Sequence, residues 1–136
     1  MSRRAIRTGN APAPVAGAPY NQAIAARGGE TLWVSGQVPL TAAGELAATD
    51  VPGQTRQCLA NIAAVIEAAG GTMDDVVKTT VYMLDLGAFG EMNAVYAEAF
   101  GDMPPARATV GVSALPAGAS VEIEAVAVMG AAGVTR

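Results

Sequence analysis

Apolar and polar residues alternate most cleanly over residues 120–129, Ser-Val-Glu-Ile-Glu-Ala-Val-Ala-Val-Met. A period of two predicts a strand with Glu122 and Glu124 on one face and Val121, Ile123 and Ala125 on the other. Residues 76–84, Val-Val-Lys-Thr-Thr-Val-Tyr-Met-Leu, are β-branched and predict a second strand. Thr31-Leu32-Trp33-Val34-Ser35 and residues 20–27 predict a hairpin around Gly28-Gly29, and residues 107–113 a further short strand. Elsewhere the period is helical. Leu59, Ile62, Ile66 and Ala69 form one stripe over 51–69, with Gln54, Arg56, Gln57 and Glu67 mostly away from it and Asn61 at its edge. Thr49 or Asp50 can cap this helix, Pro52 suits its first turn, and Gly70-Gly71 ends it. Asp85 can cap a second helix over 87–100, which buries Phe89, Met92, Tyr96, Ala99 and Phe100 and closes at Gly101. Residues 1–19, interrupted by Pro12, Pro14 and Pro19, are expected to be an irregular arm.

The order β-β-α-β-α-β-β predicts an α+β domain over 1–136: one mixed sheet with both helices on one face. The second face then needs cover, which another subunit would provide unless that face is polar. Composition strengthens this expectation. Of 136 residues, 30 are alanine and 16 glycine, so each buried position contributes little apolar area.

Charge and residue inventory narrow the chemistry. There is no histidine, which removes histidine-based triads, a histidine general base and most transition-metal sites. One cysteine leaves no internal disulfide and no CxxC pair, and a reduced, cytoplasmic setting is expected. The net charge is −4 and no basic stripe follows Arg3-Arg4, which disfavours nucleic acid as a partner. No apolar run approaches the roughly 20 residues of a membrane span, and no apolar stretch follows the basic N-terminal residues as in a secretory signal.

The remaining polar candidates are few. Arg107 follows Pro104-Pro105-Ala106 at the start of a strand, and its guanidinium can bind a carboxylate through two parallel hydrogen bonds. The plain alternative is a surface ion pair. Glu122 and Glu124 can serve acid–base chemistry if buried, and otherwise form a solvated face. Ser35-Gly36-Gln37 offers either a close backbone approach to a ligand or a strand bulge. Cys58 reads as a packing residue. Tyr20 fits core or ligand cleft equally. Asn61 and Asn93 fit a cap, a bridge between helices or a ligand contact.

Taken together, seven segments in register resemble the RidA (YjgF-type) family of reactive imine and enamine deaminases. They are Ala18-Pro19-Tyr20-Asn21-Gln22-Ala23-Ile24, Val34-Ser35-Gly36-Gln37-Val38-Pro39, Gln54-Thr55-Arg56-Gln57 with Asn61-Ile62, and Val76-Val77-Lys78-Thr79-Thr80-Val81. Met92-Asn93-Ala94-Val95-Tyr96, Pro105-Ala106-Arg107, and Leu115-Pro116 with Val121-Glu122-Ile123-Glu124-Ala125 complete the set. The resemblance implies a chorismate-mutase-like fold and a homotrimer whose sheets form a central barrel, with active sites between subunits. It implies that Arg107 holds the substrate carboxylate, that Glu122 handles the water, and that Tyr20, Ser35 and Asn93 line the cleft. Two departures stand out. Thr109 occupies a position where family deaminases often carry cysteine, and the Phe100–Arg107 segment is shorter than in many of them.

The activity so implied is hydrolysis of 2-imino or 2-enamino acids, such as 2-iminopropanoate and 2-iminobutanoate, to 2-keto acids and ammonia. It requires no metal or organic cofactor. Two alternatives accompany it. One is a pathway-specific deaminase or hydrolase acting on aminomuconate- or aminoacrylate-type compounds, motivated by Thr109 and the short loop. The other is a non-catalytic trimer that binds 2-keto acids or acts as a chaperone.

Overall fold

The computed structural model describes residues 3–130. Residues 1–2 of the expected arm and 131–136 of the expected single domain lie outside the described residues. The strands are β1 (Arg3–Ile6), β2 (Ala23–Ala26), β3 (Thr31–Gln37), β4 (Val76–Met83), β5 (Ala106–Gly111) and β6 (Val121–Val128). The helices are α1 (Val51–Ala68) and α2 (Phe89–Phe100). Strand order is β3-β6-β4-β5, antiparallel except for the parallel β4/β5 pair, beside a two-stranded β1-β2 ribbon. The expected mixed sheet with two helices on one face is therefore present. No described helix is long and apolar enough to cross a membrane.

Two expectations about the N-terminal third need correction. The arm is not wholly irregular, because β1 pairs antiparallel with β2. The predicted hairpin does not form: β2 takes β1 as its partner, and β3 takes β6. Gly28-Gly29 turns the chain, but long-range pairing decides the partners. The ribbon reaches the main sheet through a parallel bridge between Asn21 and Ala106.

The core lies between the sheet and the helices. Val121, Ile123, Ala125 and Ala127 of β6 and Val81 and Met83 of β4 pack against Leu59, Ile62 and Ile66 of α1 and Met92, Val95 and Tyr96 of α2. The α1 stripe ends earlier than predicted, since Ala69 is exposed. Gln54, predicted to lie away from the stripe, is buried. Its carbonyl accepts from the Ser120 backbone N–H (2.7 Å) and its amide donates to the Ala48 carbonyl (3.1 Å), so the satisfied amide tolerates burial. Asp50 is the N-cap residue of α1, but its side chain makes no capping bond. Asp85 does cap, accepting from the Gly87 N–H at 2.8 Å in a short 3-10 turn that leads into α2.

On the helix-free face, Glu122, Glu124, Val126 and Val128 alternate with the core residues of β6. Trp33, opposite Val126, is 77% exposed there. A tryptophan left this open on a sheet face is unusual for an isolated domain.

Candidate active site

Arg107 and Thr109 stand beside Thr79 and Val81 in the parallel β4/β5 register, on the helix side of the sheet. Aromatic rings surround the Arg107 guanidinium. Its Cζ lies 4.8 Å from the ring centre of Tyr96, 5.2 Å from Tyr20 and 5.5 Å from Phe89. All three guanidinium nitrogens are buried, with no hydrogen-bond partner among the described residues. Burial pulls the Arg107 pKa below its ordinary value, and the phenols of Tyr96 and Tyr20 oppose that shift. A cation held against π-faces but lacking acceptors is only partly compensated for its lost water, so the site favours an incoming anion.

Arg107, Thr109, Ala108, Tyr20, Phe89, Leu86 and Val15 line a cleft of about 560 Å³. The Thr109 hydroxyl is buried without a partner, as is the Asn93 side-chain carbonyl on α2. Tyr20 is held from two sides. Its hydroxyl accepts from the Val15 N–H at 2.8 Å. Its neighbour Asn21 donates its amide to the Pro104 carbonyl at 2.7 Å and its backbone N–H to the Pro105 carbonyl at 3.2 Å. The short loop before Arg107 therefore anchors the segment that carries Tyr20.

Ser35 and Glu122 belong to a second cluster. The register advances three residues on β3, from Val34 to Gln37, against two on β6, so Ser35-Gly36 forms a bulge. A Cβ added to Gly36 would fall 2.0 Å from Glu122 Oε2, which shows how closely the carboxylate lies on this glycine. Glu124, next but one along β6, accepts a hydrogen bond from the Tyr82 hydroxyl, and this bond raises the Tyr82 pKa. Cys58 is wholly buried in α1, and burial followed by the nearby Glu122 charge pushes its thiol up to about 12, which fits a packing role. Asn61 donates to the Val38 and Leu40 carbonyls at 3.1 and 3.0 Å, tying down the chain after the bulge.

The structure thus gathers Arg107, Tyr20 and Thr109 in one cleft. Ser35 and Glu122 lie on the opposite side of the sheet. Asn93 sits one turn before Tyr96 on α2, with its carbonyl unsatisfied. The sequence reading missed Phe89 and Tyr96 as the box around Arg107, placing them only in the core. Their spacing of seven residues, which brings them to one helix face, was the available signal. Val15 and Leu86 had no signal. Among the described residues no group of three or more histidine, cysteine, aspartate or glutamate side chains forms a metal site.

Comparisons with known proteins agree with this architecture. Residues 8–129 match the family described as endoribonuclease L-PSP. A RutC family protein from Pyrococcus horikoshii is 48% identical over 126 residues, 92% of this chain and 97% of the relative. The mouse 2-iminobutanoate/2-iminopropanoate deaminase is 42% identical over 129 residues, 94% and 93% of the respective chains. Among solved structures, a Rid-family protein of unknown function from Yersinia pestis superposes with a TM-score of 0.79 at 33% identity, covering 95% of this chain and all of that one. The chain belongs to the endoribonuclease L-PSP family, the YjgF/RidA proteins.

Proposed function

We propose that this protein hydrolyses reactive 2-imino and 2-enamino acids, such as 2-iminopropanoate and 2-iminobutanoate, to 2-keto acids and ammonia. The observation that carries the reading is the buried Arg107 guanidinium, without a partner among the described residues, in a largely apolar cleft. A substrate carboxylate supplies the missing charge and two acceptors in matching geometry. The mammalian relatives named as 2-iminobutanoate/2-iminopropanoate deaminases support the same substrate class. The family description mentions ribonuclease activity, but a net charge of −4 favours a small anionic substrate over a polyanion.

The chemistry suits the residues. Arg107 binds the carboxylate, with Tyr20, Thr109 and Asn93 around the rest of the molecule. Water adds to the C=N carbon as Glu122 takes its proton, and the π-electrons pass to nitrogen, which is protonated. The carbinolamine nitrogen then takes up a proton through water as its hydroxyl gives one to Glu122, and the C–N bond breaks with its electron pair leaving on neutral ammonia. An enamine first tautomerises to the imine. Positioning does much of the work, because the substrate is already electrophilic.

The proposed active form is a homotrimer. Glu122 lies on the sheet face opposite Arg107, two strands away in the β6-β4-β5 order, roughly 10 Å at ordinary strand spacing. One small substrate cannot meet both within one chain. A second copy covering the Trp33 face would bring its Glu122 and Ser35 to the first copy's Arg107 cleft.

The test generates the imine with an amino-acid oxidase and follows its disappearance. The expected outcome is accelerated loss with the wild-type protein, and kcat/KM lower by about 100- to 1,000-fold in Arg107→Ala, or about 3–4 kcal/mol of lost binding. No acceleration, or full activity in the variant, overturns the proposal.

A further inference from the structure

We infer that the buried Thr79–Tyr96 pair is a positioning element for Arg107, holding the aromatic face that keeps the guanidinium plane aimed at the cleft. This inference rests on Arg107 being the carboxylate clamp. Three placements converge on it. Thr79 is the cross-strand partner of Arg107 in the parallel β4/β5 register. The Tyr96 ring centre is 4.8 Å from the Arg107 Cζ. The hydroxyls of Thr79 and Tyr96 are 2.6 Å apart.

Both residues are buried, at 1% and 0% exposure. A phenol and a hydroxyl there cost more to dehydrate than phenylalanine and valine, and their mutual bond offsets this. Phenylalanine at 96 would supply the same ring face. What the hydroxyl adds is a fixed attitude for that ring, because its outer end is tied to a strand residue beside Arg107's own backbone. Phe100 braces the ring from within α2, with ring centres 4.7 Å apart and planes inclined by 46°. The strand fixes the ring and the ring fixes the guanidinium. Bidentate capture of a carboxylate depends on that plane, and a free arginine side chain would have to give up rotamer freedom to reach it.

The test compares Thr79→Val, Tyr96→Phe and the double variant. Each single change strands one buried hydroxyl, whereas the double removes both with little change of shape. A purely structural pair predicts that the double regains the wild-type melting midpoint and the wild-type KM together. A positioning role predicts a split. The midpoint recovers, while KM for the imino acid stays about tenfold high with kcat within about twofold, because a carboxylate clamp binds ground and transition states alike. A wild-type KM in the double variant overturns the inference.

A second readout needs no turnover. In protein labelled with 15N-arginine, the Arg107 Nε–H resonance, shielded from solvent and shifted by the rings, is expected to be sharp in the wild type and exchange-broadened in Tyr96→Phe. An unchanged resonance also overturns the inference. If the wild type fails to hydrolyse imines, the deaminase reading falls, and this resonance still decides the positioning role.

Discussion

The two sides of the sheet treat charge in opposite ways. On the helix side, Arg107 has exchanged water for three aromatic rings and has no acceptor on any guanidinium nitrogen. On the helix-free side, Glu124 has a phenol donor in Tyr82, and Glu122 lies over the bare backbone of Gly36. The cation is left wanting a partner, whereas the carboxylates are half-buried beside a phenol donor and a bare glycine, the placement that the proposed proton transfer uses. Binding and proton transfer make different demands. A clamp gains from dehydration, because each charge–charge contact is worth more away from water. A proton carrier gains from staying ionised and reachable.

The most severe way to break this division is to keep the two sides from meeting. Trp33→Asp adds a charge at a position 77% exposed in the single chain, so the fold is expected to survive. In the proposed trimer the charge would be buried without a partner, at a cost of several kcal/mol. Sedimentation velocity should then show monomers, with turnover reduced by more than about 100-fold although Arg107 is untouched. Trimers with full activity would remove this face from the site.

The carboxylate side alone is probed by Glu122→Gln, expected to lower kcat by about 100-fold with little change in KM. Gly36→Ala is a gentler version. Its Cβ, 2.0 Å from Glu122 Oε2, displaces a flexible side-chain end rather than backbone. An unchanged circular dichroism spectrum and a kcat lower by about tenfold are expected. Normal kcat in both variants would move the proton transfer elsewhere.

A further contrast is read in stability at alkaline pH rather than in turnover. Burial raises the Tyr96 phenol to about 12, so the folded state keeps that proton after the unfolded chain has released it near 10. Its stabilising contribution is therefore complete below pH 10 and is lost as pH rises from 10 to about 12, by order of 2 kcal/mol. Urea titrations should show this decline in the wild type and a flatter profile in Tyr96→Phe. Tyr82→Phe, on the more open side, should alter the profile less. Equal slopes for the two would erase the contrast between the faces.

Much of this arrangement was legible before any coordinates. Both helices, the alternation of β6 and the pairing of Glu122 with Glu124 on one face follow from local periods, whereas Asp85 caps the 3-10 turn ahead of α2 and α2 itself begins after Ala88. Less legible were features set by distant partners. Arg3–Ile6 shows little strand pattern by itself and becomes a strand because β2 lies beside it. Gln54 looks like a surface residue until Ser120 and Ala48 satisfy its amide. Asn21 matters because the Pro104-Pro105 carbonyls reach it from 83 residues away.

Residue identity and spacing were enough for the menu of elements, the family resemblance, and a chemistry narrowed to a cation, carboxylates and hydroxyls by the lack of histidine. These depend on residue identity and short spacing, which a linear chain displays directly. It took the folded chain to show that Phe89 and Tyr96 box the arginine, that Gly36 admits Glu122, and that Arg107 and Glu122 occupy opposite faces. Those facts depend on register and on dehydration. Both arise when segments far apart in the chain exclude water from one another.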